Sequence, residues 1–522
     1  MPALSKKYHL RTGVALAAAL WLGTGVAQAQ KIRFIDIDPQ QVGTAQPAEL
    51  GLADALWVGS TRAGLAEAID SIQGASPQLA AHRALAAMLG ASAALPHAAA
   101  PGETLSPPLI SRRVAALARL AANDEAIALA RRAPQDFRDT NMLAAETDVR
   151  LLRFDLSGAC NLMQANAAAS ATESLQPLRA FCLQVDARAS EATVSAMLGN
   201  LPGAAADDTF AALFLAMKYP NRGKPAGIVP ATALHAAMYR YMRLRPAAGD
   251  KLPAAPASVM ASLGKNPNLP FEMRTQAMER AVAFNAGDVE TLAQLYLEGG
   301  GTTGVGPAYR KAAFAQNTPA RLEALQALWT VAQQQGLIAQ LAPFTLGTIA
   351  GLDLAAVQPN FIRDALRAAL LAQDRSAIAT WRDAQSAAAL LPAGAASRDA
   401  SYALLALAGE SVPPVEQWWN TWKKAAKLTD GQQQLVGGAL GALGTGFALL
   451  PSPKIKRKSV SYSIQKLAKT APGEAALRAL AALASQSSAD VALQVTAVRT
   501  LARVHPGHAR ALALELAVAS GL

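Results

Sequence analysis

Side chains suited to catalysis or metal binding are few in this sequence. Six histidines are present, and of these His505 and His508 stand close together. Pro506 and Gly507 separate them, which is typical of a surface turn between two helices, and no third ligand follows nearby as a zinc site would need. The signatures of serine hydrolases, zinc proteases, P-loop proteins and dinucleotide-binding folds do not occur. The sequence therefore predicts no metal site and no cofactor.

Glu146 is followed at a fixed distance by two groups of small and apolar residues. The downstream residues are Gly158, Ala159, Leu162, Met163 and Gln164. The run resembles the catalytic segment of the lytic transglycosylase family, in which one glutamate precedes Gly-Ala and then Gly-Leu-Met-Gln. The resemblance implies that Glu146, held protonated in an apolar cleft, protonates a glycosidic oxygen of peptidoglycan. A second segment, AFNAGDV from Ala283, is similar to the Tyr-Asn-Ala-Gly element of that family.

Several positions depart from the family pattern. Thr147 and Asp155 stand where the family has serine, and Asn161 replaces a glycine. Arg150 and Arg153 would favour an ionised glutamate if they pack beside it, and a general acid must carry its proton. A helix, a turn and a second helix explain the same residues. We therefore keep catalysis by Glu146 as an alternative and expect a protein that is not an enzyme.

The two cysteines indicate a disulfide. Cys160 and Cys182 are the only cysteines in the sequence. Two cysteines in an oxidising compartment most often form a disulfide bond. Two buried free thiols on neighbouring helices are the alternative.

A tryptophan-rich stretch carries adjacent positive charge. Trp418 and Trp422 lie one helical turn apart, Trp419 borders them, and Lys423 and Lys424 follow. Such a helix could rest on a membrane surface or stack its indoles on sugar rings, so these five residues are candidates for an interaction surface. The alternative is that the indoles fill a junction in the core.

An uncharged segment and a basic run follow these tryptophans. Residues 435–450 carry no charge, and Lys454–Lys458 reads KIKRK. Sixteen residues are too few to span a bilayer comfortably. Gly437 and Gly441, at GxxxG spacing, instead predict a close helix crossing, with a peripheral membrane role for residues 413–458 as an alternative.

Hydrophobic periodicity places these residues in an all-α protein. Of 522 residues, 52% are hydrophobic and 16% charged, which excludes general disorder. Apolar residues recur at helical spacing almost throughout, as in the helix predicted after Thr318 as its N-cap, and alternation typical of strands is confined to residues 31–38. A chain of 522 residues is too long to fold around one hydrophobic core. We predict a right-handed stack of antiparallel helix hairpins, curved or in several blocks, with a compact bundle as the alternative.

One stretch matches a known repeat. Gly306, Tyr309, Ala312, Phe314 and Pro319 stand in the order of the second half of a tetratricopeptide repeat, with the phenylalanine two positions early. The stretch resembles that family, which implies a tetratricopeptide-like (TPR-like) α-solenoid.

The N-terminus indicates export. A basic start, an apolar stretch and Ala-Gln-Ala before Gln30 are typical of a signal peptide cleaved after Ala29. This predicts a periplasmic protein of a Gram-negative cell. The predicted organisation is a signal peptide (1–29), an N-terminal arm with the first helices (30–105), a repeat block with the disulfide (106–298), a Gly-rich linker (299–307) and a C-terminal repeat block (308–522).

These features favour an interaction protein over an enzyme. Without the three basic residues of the predicted signal peptide the net charge of +11 falls to +8, which suits an anionic partner, and an exported chain rarely meets nucleic acid. We expect a scaffold that binds envelope proteins, in an oligomeric state that the sequence does not define. The alternatives are a peptidoglycan-binding or transglycosylase-like protein with Glu146 as the acid, and a peripheral membrane factor.

Overall fold

The structure is a computed structural model, and the described part of the chain belongs to the unit Asp38–Leu522. The described residues are 38–96, 105–168, 171–186, 208–219, 230–245, 252, 254–299, 304–350, 352, 354, 357–388, 395–444, 450–485 and 490–522. The signal peptide, its cleavage site at Ala29 and residues 31–37 of the predicted strand lie outside them, as do residues 300–303 of the predicted linker. The export signal, the strand and the linker stay predictions at those residues.

The fold is all-α, as the periodicity predicts. Within the described ranges there are 24 α-helices and no β-strand, and Ala45 and Ala91 form an isolated bridge. The first twelve helices are α1 (Arg62–Asp70), α2 (Leu79–Gly90), α3 (Leu109–Arg119), α4 (Asn123–Arg132), α5 (Thr140–Leu152), α6 (Leu156–Ala165), α7 (Gln176–Val185), α8 (Asp208–Lys218), α9 (Ala233–Tyr241), α10 (Ala257–Gly264), α11 (Phe271–Ala283) and α12 (Val289–Leu297).

The remaining helices continue the same pattern. They are α13 (Val305–Ala313), α14 (Thr318–Gln334), α15 (Ile338–Ile349), α16 (Pro359–Ala372), α17 (Arg375–Ala388), α18 (Ala395–Ala408), α19 (Val415–Ala425), α20 (Asp430–Ala442), α21 (Val460–Leu467), α22 (Pro472–Ser485), α23 (Val491–Ala502) and α24 (Pro506–Ala519). Helices adjacent in sequence pack on one another along the chain, as α10 does on α11 and α16 on α17.

Short polar side chains set where helices begin. Asp139 caps α5 and Asp155 caps α6 by accepting hydrogen bonds from the backbone N–H groups that a helix start leaves unpaired. At α14 the cap is Asn317, which accepts from the N–H of Ala320 at 3.0 Å. The predicted cap, Thr318, is instead the first helical residue, because the asparagine before it makes this bond.

Two hydrophobic cores fill the unit. The first, here the terminal core, combines side chains of α1–α5 with those of α18–α24. The second, here the middle core, runs from α5 to α18 and also takes Leu514 and Val518 from α24. Helix α5 contributes to both cores, since Val149 lies in the terminal core and Leu151 in the middle core.

The terminal core forms because the two ends of the unit meet. Helix α1 packs on α22, and α2 packs on α24. Arg478 of α22 donates to a carboxylate oxygen of Glu67 on α1 at 2.8 Å. Glu515 of α24 accepts from the N–H of Ala80 in the first turn of α2 at 3.0 Å. The stack of helices in this unit therefore closes on itself.

A glycine permits a very close approach between the two ends. A Cβ on Gly473, at the start of α22, would lie 1.9 Å from the carbonyl oxygen of Leu56. Real Cβ atoms do not approach a backbone oxygen so closely, so a side chain here would push the ends apart.

Candidate functional site

The two cysteines link α6 to α7. Cys160 and Cys182 are both buried, their Cα atoms are 5.3 Å apart and their sulfurs are at bonding distance. This pair is capable of the predicted disulfide, which would fasten two helices of the middle core.

Glu146 lies in an ion pair and not in an open cleft. Its side chain is buried, and its Oε1 accepts from two nitrogens of Arg150 at 2.7 and 3.2 Å. Arg150 also donates to Asp155 at 2.9 Å, and Asp155 accepts from the N–H of Gly158 at the start of α6. Glu146, Arg150 and Asp155 thus fix the turn between α5 and α6. The carboxylate of Glu146 is therefore engaged by an arginine of the protein itself.

The segment around Asn285 also has a structural contact. Asn285 adopts a left-handed backbone conformation, and its Nδ2 donates to the carbonyl of Ser76 at 2.7 Å. Its Oδ1 accepts from Gln340 at 3.0 Å. The asparagine therefore joins the turn after α11 to the loop before α2.

The three tryptophans of the candidate interaction surface are buried. Trp418, Trp419 and Trp422 are 1%, 5% and 2% exposed, and their ring centroids lie 5.5–6.1 Å from one another. They are buried because the apolar face of α19 packs into the terminal core, which is the alternative stated for them above. Lys424 is exposed and Lys423 is half-buried, so these two side chains can still meet a partner.

The glycines of α20 allow close packing, but not in the predicted pair. A Cβ on Gly437 would meet the carbonyl oxygen of Pro451 at 2.3 Å, and one on Gly438 would meet Val495 of α23 at 2.8 Å. Gly441 has nothing within 4 Å, so the close crossing uses Gly438. None of the helices in the described ranges is long and apolar enough to cross a membrane.

The histidine pair forms the predicted turn, but His505 is buried and not at the surface. His505 caps α24 by accepting from the N–H of His508 at 3.2 Å, and the two rings lie 3.7 Å apart. Burial lowers the pKa of both side chains, to about 4 for His508. Among the residues that the structure describes, no group of three or more His, Cys, Asp or Glu side chains could hold a metal ion.

A groove of about 910 Å³ lies where the two cores adjoin. Its walls come from α3, α5, α9, α10, α11 and the loop after α1, and ten of its lining residues are alanine. This volume is in the upper range for ligand-binding clefts. The polar or aromatic lining residues that a ligand would meet include Asp148, Asn141, Arg119, Thr232, Ser258, Arg280 and Phe284.

Asp148 is the unusual side chain in this groove. It is exposed to solvent in the groove, and partial desolvation by the surrounding protein raises the pKa of its carboxyl to about 6. No hydrogen bond or ion pair to Asp148 is found among the described residues. An unpaired carboxylate with a raised pKa inside a groove is a candidate binding group. We call this feature the Asp148 groove.

Other groups in the groove are donors. The Arg119 guanidinium lies against the loop after α1 and donates to the carbonyl of Ile72 at 2.7 Å, so much of its capacity is already used. Helix α10 begins after Pro256 without a side-chain cap, and its first residues line the groove. Backbone N–H groups at such a helix start can donate to carbonyl oxygens of a ligand.

The sequence contained a signal for Asp148. Ala144 and Leu152 stand four residues before and after it, so the carboxylate lies on an apolar helical face. Periodicity alone does not distinguish a carboxylate inside a groove from one at the solvent-exposed edge of a buried helical face. The groove that makes the residue notable comes from α9–α11, which lie more than eighty positions later in the sequence.

Comparison with known proteins gives no match for this chain. No protein-family model matches it. No curated protein and no solved structure matches it. The groove is therefore interpreted from its own residues.

Proposed function

We propose that this protein is an exported, non-enzymatic helical-repeat protein that holds a segment of another envelope protein in the Asp148 groove. The observation that carries the proposal is the unpaired carboxylate in a long alanine-lined groove. In this proposal the helices are TPR-like hairpins, and the inner surface of their stack is the binding surface, as in other repeat proteins.

The groove indicates the chemistry of the bound segment. Alanine walls accept small or flat apolar side chains closely, and the exposed Phe284 offers further apolar contact. Asp148 would pair with one lysine or arginine of the segment, and the N–H groups at the start of α10 would bind its backbone carbonyls. Because the pKa of Asp148 is about 6, binding should weaken as the pH falls through 6 and the carboxylate is neutralised.

Export is part of the proposal. The basic and apolar start of the chain and the cysteine pair support it. Sequencing the N-terminus of protein recovered from the periplasm tests it, with Gln30 expected as the first residue. A cytoplasmic protein beginning at Met1 would contradict it.

Photo-crosslinking in living cells tests the groove directly. A photoreactive phenylalanine analogue is placed at Phe284, which lies in the groove and is 44% exposed. The matched control places it at Phe314, which is 61% exposed and lines no described cavity. We expect a crosslinked partner from position 284 and not from position 314.

Charge complementarity is tested in the same cells. Asp148→Asn should reduce the crosslink at position 284 at least tenfold without lowering the amount of folded protein, since the asparagine occupies the same space. Replacing the basic residue of the crosslinked segment by glutamine should give the same loss. A crosslink that is equally strong with Asp148→Asn, or that appears equally at both positions, would refute the proposal.

A further inference from the structure

A second concave site lies beside helices of the terminal core. It is a cleft of about 290 Å³ between α21 and the end of α23. Tyr462, Gln465, Lys466 and Lys469 supply one wall at spacings of three and four residues, which places them on one face of α21 and the turn after it. Arg499, Thr500 and Arg503 supply the other wall, and we call this the basic cleft.

The basic cleft contains four cations and no acid. Lys466, Lys469 and Arg503 are exposed, and Arg499 is half-buried. None of the four has a carboxylate within ion-pair distance among the described residues. Arg503 donates to the carbonyl of Ala468, which fixes its guanidinium at the cleft. Burial and the adjacent charge of Arg503 both lower the pKa of Arg499, so the two arginines repel each other.

The positive charge continues along the chain from the cleft. Lys454, Lys456, Arg457 and Lys458 are all exposed and lead directly into α21. No aspartate or glutamate occurs from residue 431 to residue 473. From residue 431 to the end the sequence has ten basic side chains and three acidic ones. Most of the net positive charge of the protein is therefore in this region.

Two large apolar side chains protrude among these cations. Val460 and Tyr462, in the first turn of α21, are 55% and 42% exposed. The backbone around them is ordered by Ser459, which caps the helix by accepting from the N–H of Tyr462. Exposed aliphatic and aromatic groups surrounded by lysine and arginine are typical of proteins that rest on an anionic lipid surface, where the ring and the aliphatic group enter the headgroup layer.

We infer that the face formed by Lys454–Lys458, Val460, Tyr462 and the basic cleft binds an anionic lipid surface, with a lipid phosphate held between Lys466, Lys469, Arg499 and Arg503. The cleft alone would be enough to bind a small soluble anion. The protruding Val460 and the adjoining basic run favour a membrane, because they lie outside the cleft and can contact only a ligand that extends beyond it. This inference is independent of the Asp148 groove.

Vesicle flotation tests it with the full mature protein. Vesicles of phosphatidylcholine alone are compared with vesicles that also contain phosphatidylglycerol, and inorganic phosphate is titrated separately. We expect binding to the phosphatidylglycerol vesicles that salt reduces, and none to phosphatidylcholine alone. Each lysine near an anionic surface contributes about a fivefold gain in affinity, so Lys466→Gln with Lys469→Gln should weaken binding about twenty-five-fold.

Two further variants separate a local site from general charge. Lys423→Gln with Lys424→Gln removes the same charge from α19 and should change the affinity by less than about twofold. Tyr462→Ser keeps every charge and should weaken vesicle binding severalfold. Equal losses from the two double variants, or no vesicle binding by the wild-type protein, would overturn the inference. Saturable binding of inorganic phosphate without vesicle binding would overturn it as well, because the cleft would then serve a soluble phosphate ligand.

Discussion

Glu515 offers the sharpest test of how the two ends of the unit are joined. Its carboxylate, on α24, accepts from the N–H of Ala80 at 3.0 Å in the first turn of α2. Burial raises the pKa of this carboxyl from 4.5 to about 7, against the lowering effects of the Ala80 N–H, Arg83 and the Leu79 N–H. One of the contacts that close the stack therefore depends on a carboxyl group whose ionised form is destabilising in the folded protein.

The sign of the pH effect follows from this shift. The folded protein binds the Glu515 proton more tightly than the unfolded chain does, so its contribution to stability is complete below pH 4.5 and is lost as the pH rises through 7. A change in pKa from 4.5 to about 7 corresponds to about 3 kcal/mol. The side chain is partly exposed, and solvent screening reduces the figure to about 2 kcal/mol.

Glu515→Gln removes the titration and keeps an oxygen that can accept from the Ala80 N–H. We expect the variant to be more stable than wild type by about 2 kcal/mol at pH 8, and to lose this advantage near pH 4. Urea unfolding followed by circular dichroism from pH 4 to pH 8 measures the difference. In thermal unfolding the same energy moves Tm by about 2 °C for a chain of roughly 500 residues.

Comparing the variant with wild type at each pH cancels other titrations. His82 and His508 each have a pKa lowered to about 4 by burial, so they destabilise the fold as the pH falls below 6.5, with the opposite sign. Glu125→Gln, at an exposed position on α4, is the control for losing a surface charge. A stability difference that is constant with pH, or one that favours the variant only in acid, would refute this account of Glu515.

Three further predictions concern stability and use the same unfolding assay. Gly473→Ala should lower the free energy of unfolding by about 2 kcal/mol or more, because the new Cβ would clash with the Leu56 carbonyl. The control Gly347→Ala, at an exposed position of α15 with nothing within 4 Å, should leave that free energy unchanged or raise it by about 0.5–1 kcal/mol. Arg113→Met should cost about 3–5 kcal/mol, since the buried guanidinium donates to four backbone carbonyls that would lose their partner. Reducing the Cys160–Cys182 pair, which closes a loop of 22 residues, should lower the free energy of unfolding by about 3 kcal/mol. Equal stability of the protein with and without reductant would contradict the presence of this disulfide.

The helices were predictable because their signals are local. Apolar residues at spacings of three and four, with Asp155 or Thr429 at the start, define a helix from a dozen neighbouring residues. The error at Thr318 has the same origin, since Asn317 and Thr318 are both good caps and local sequence does not rank them. The pairing of Cys160 with Cys182 was predictable because a sequence with two cysteines allows only one disulfide.

Features that depend on distant contacts were not predictable in this way. The amphipathic pattern of α19 states that its tryptophans share a face, but not whether that face meets solvent or another helix. The terminal core decides this, and it brings α19 together with helices from the start of the chain. Arg113 shows the same limit, since its four carbonyl partners lie 22 to 73 positions away.

The position of the groove connects its function to the closure of the stack. Val149 of α5 lines the groove and lies in the terminal core, whereas Met260 of α10 lines the opposite wall and lies in the middle core. The width of the groove therefore depends on how the two cores are held against each other. If so, Gly473→Ala, which strains the closure far from the groove, should weaken the crosslink at position 284 while leaving Asp148 ionised. Asp148→Asn should weaken the same crosslink and, because it removes a carboxyl whose pKa is raised to about 6, should raise the urea midpoint above pH 6. The same binding loss with opposite effects on stability would separate recognition by the carboxylate from the shape that the closed stack imposes. A Gly473→Ala protein that is destabilised but keeps the crosslink at position 284 would show that closure does not set the groove.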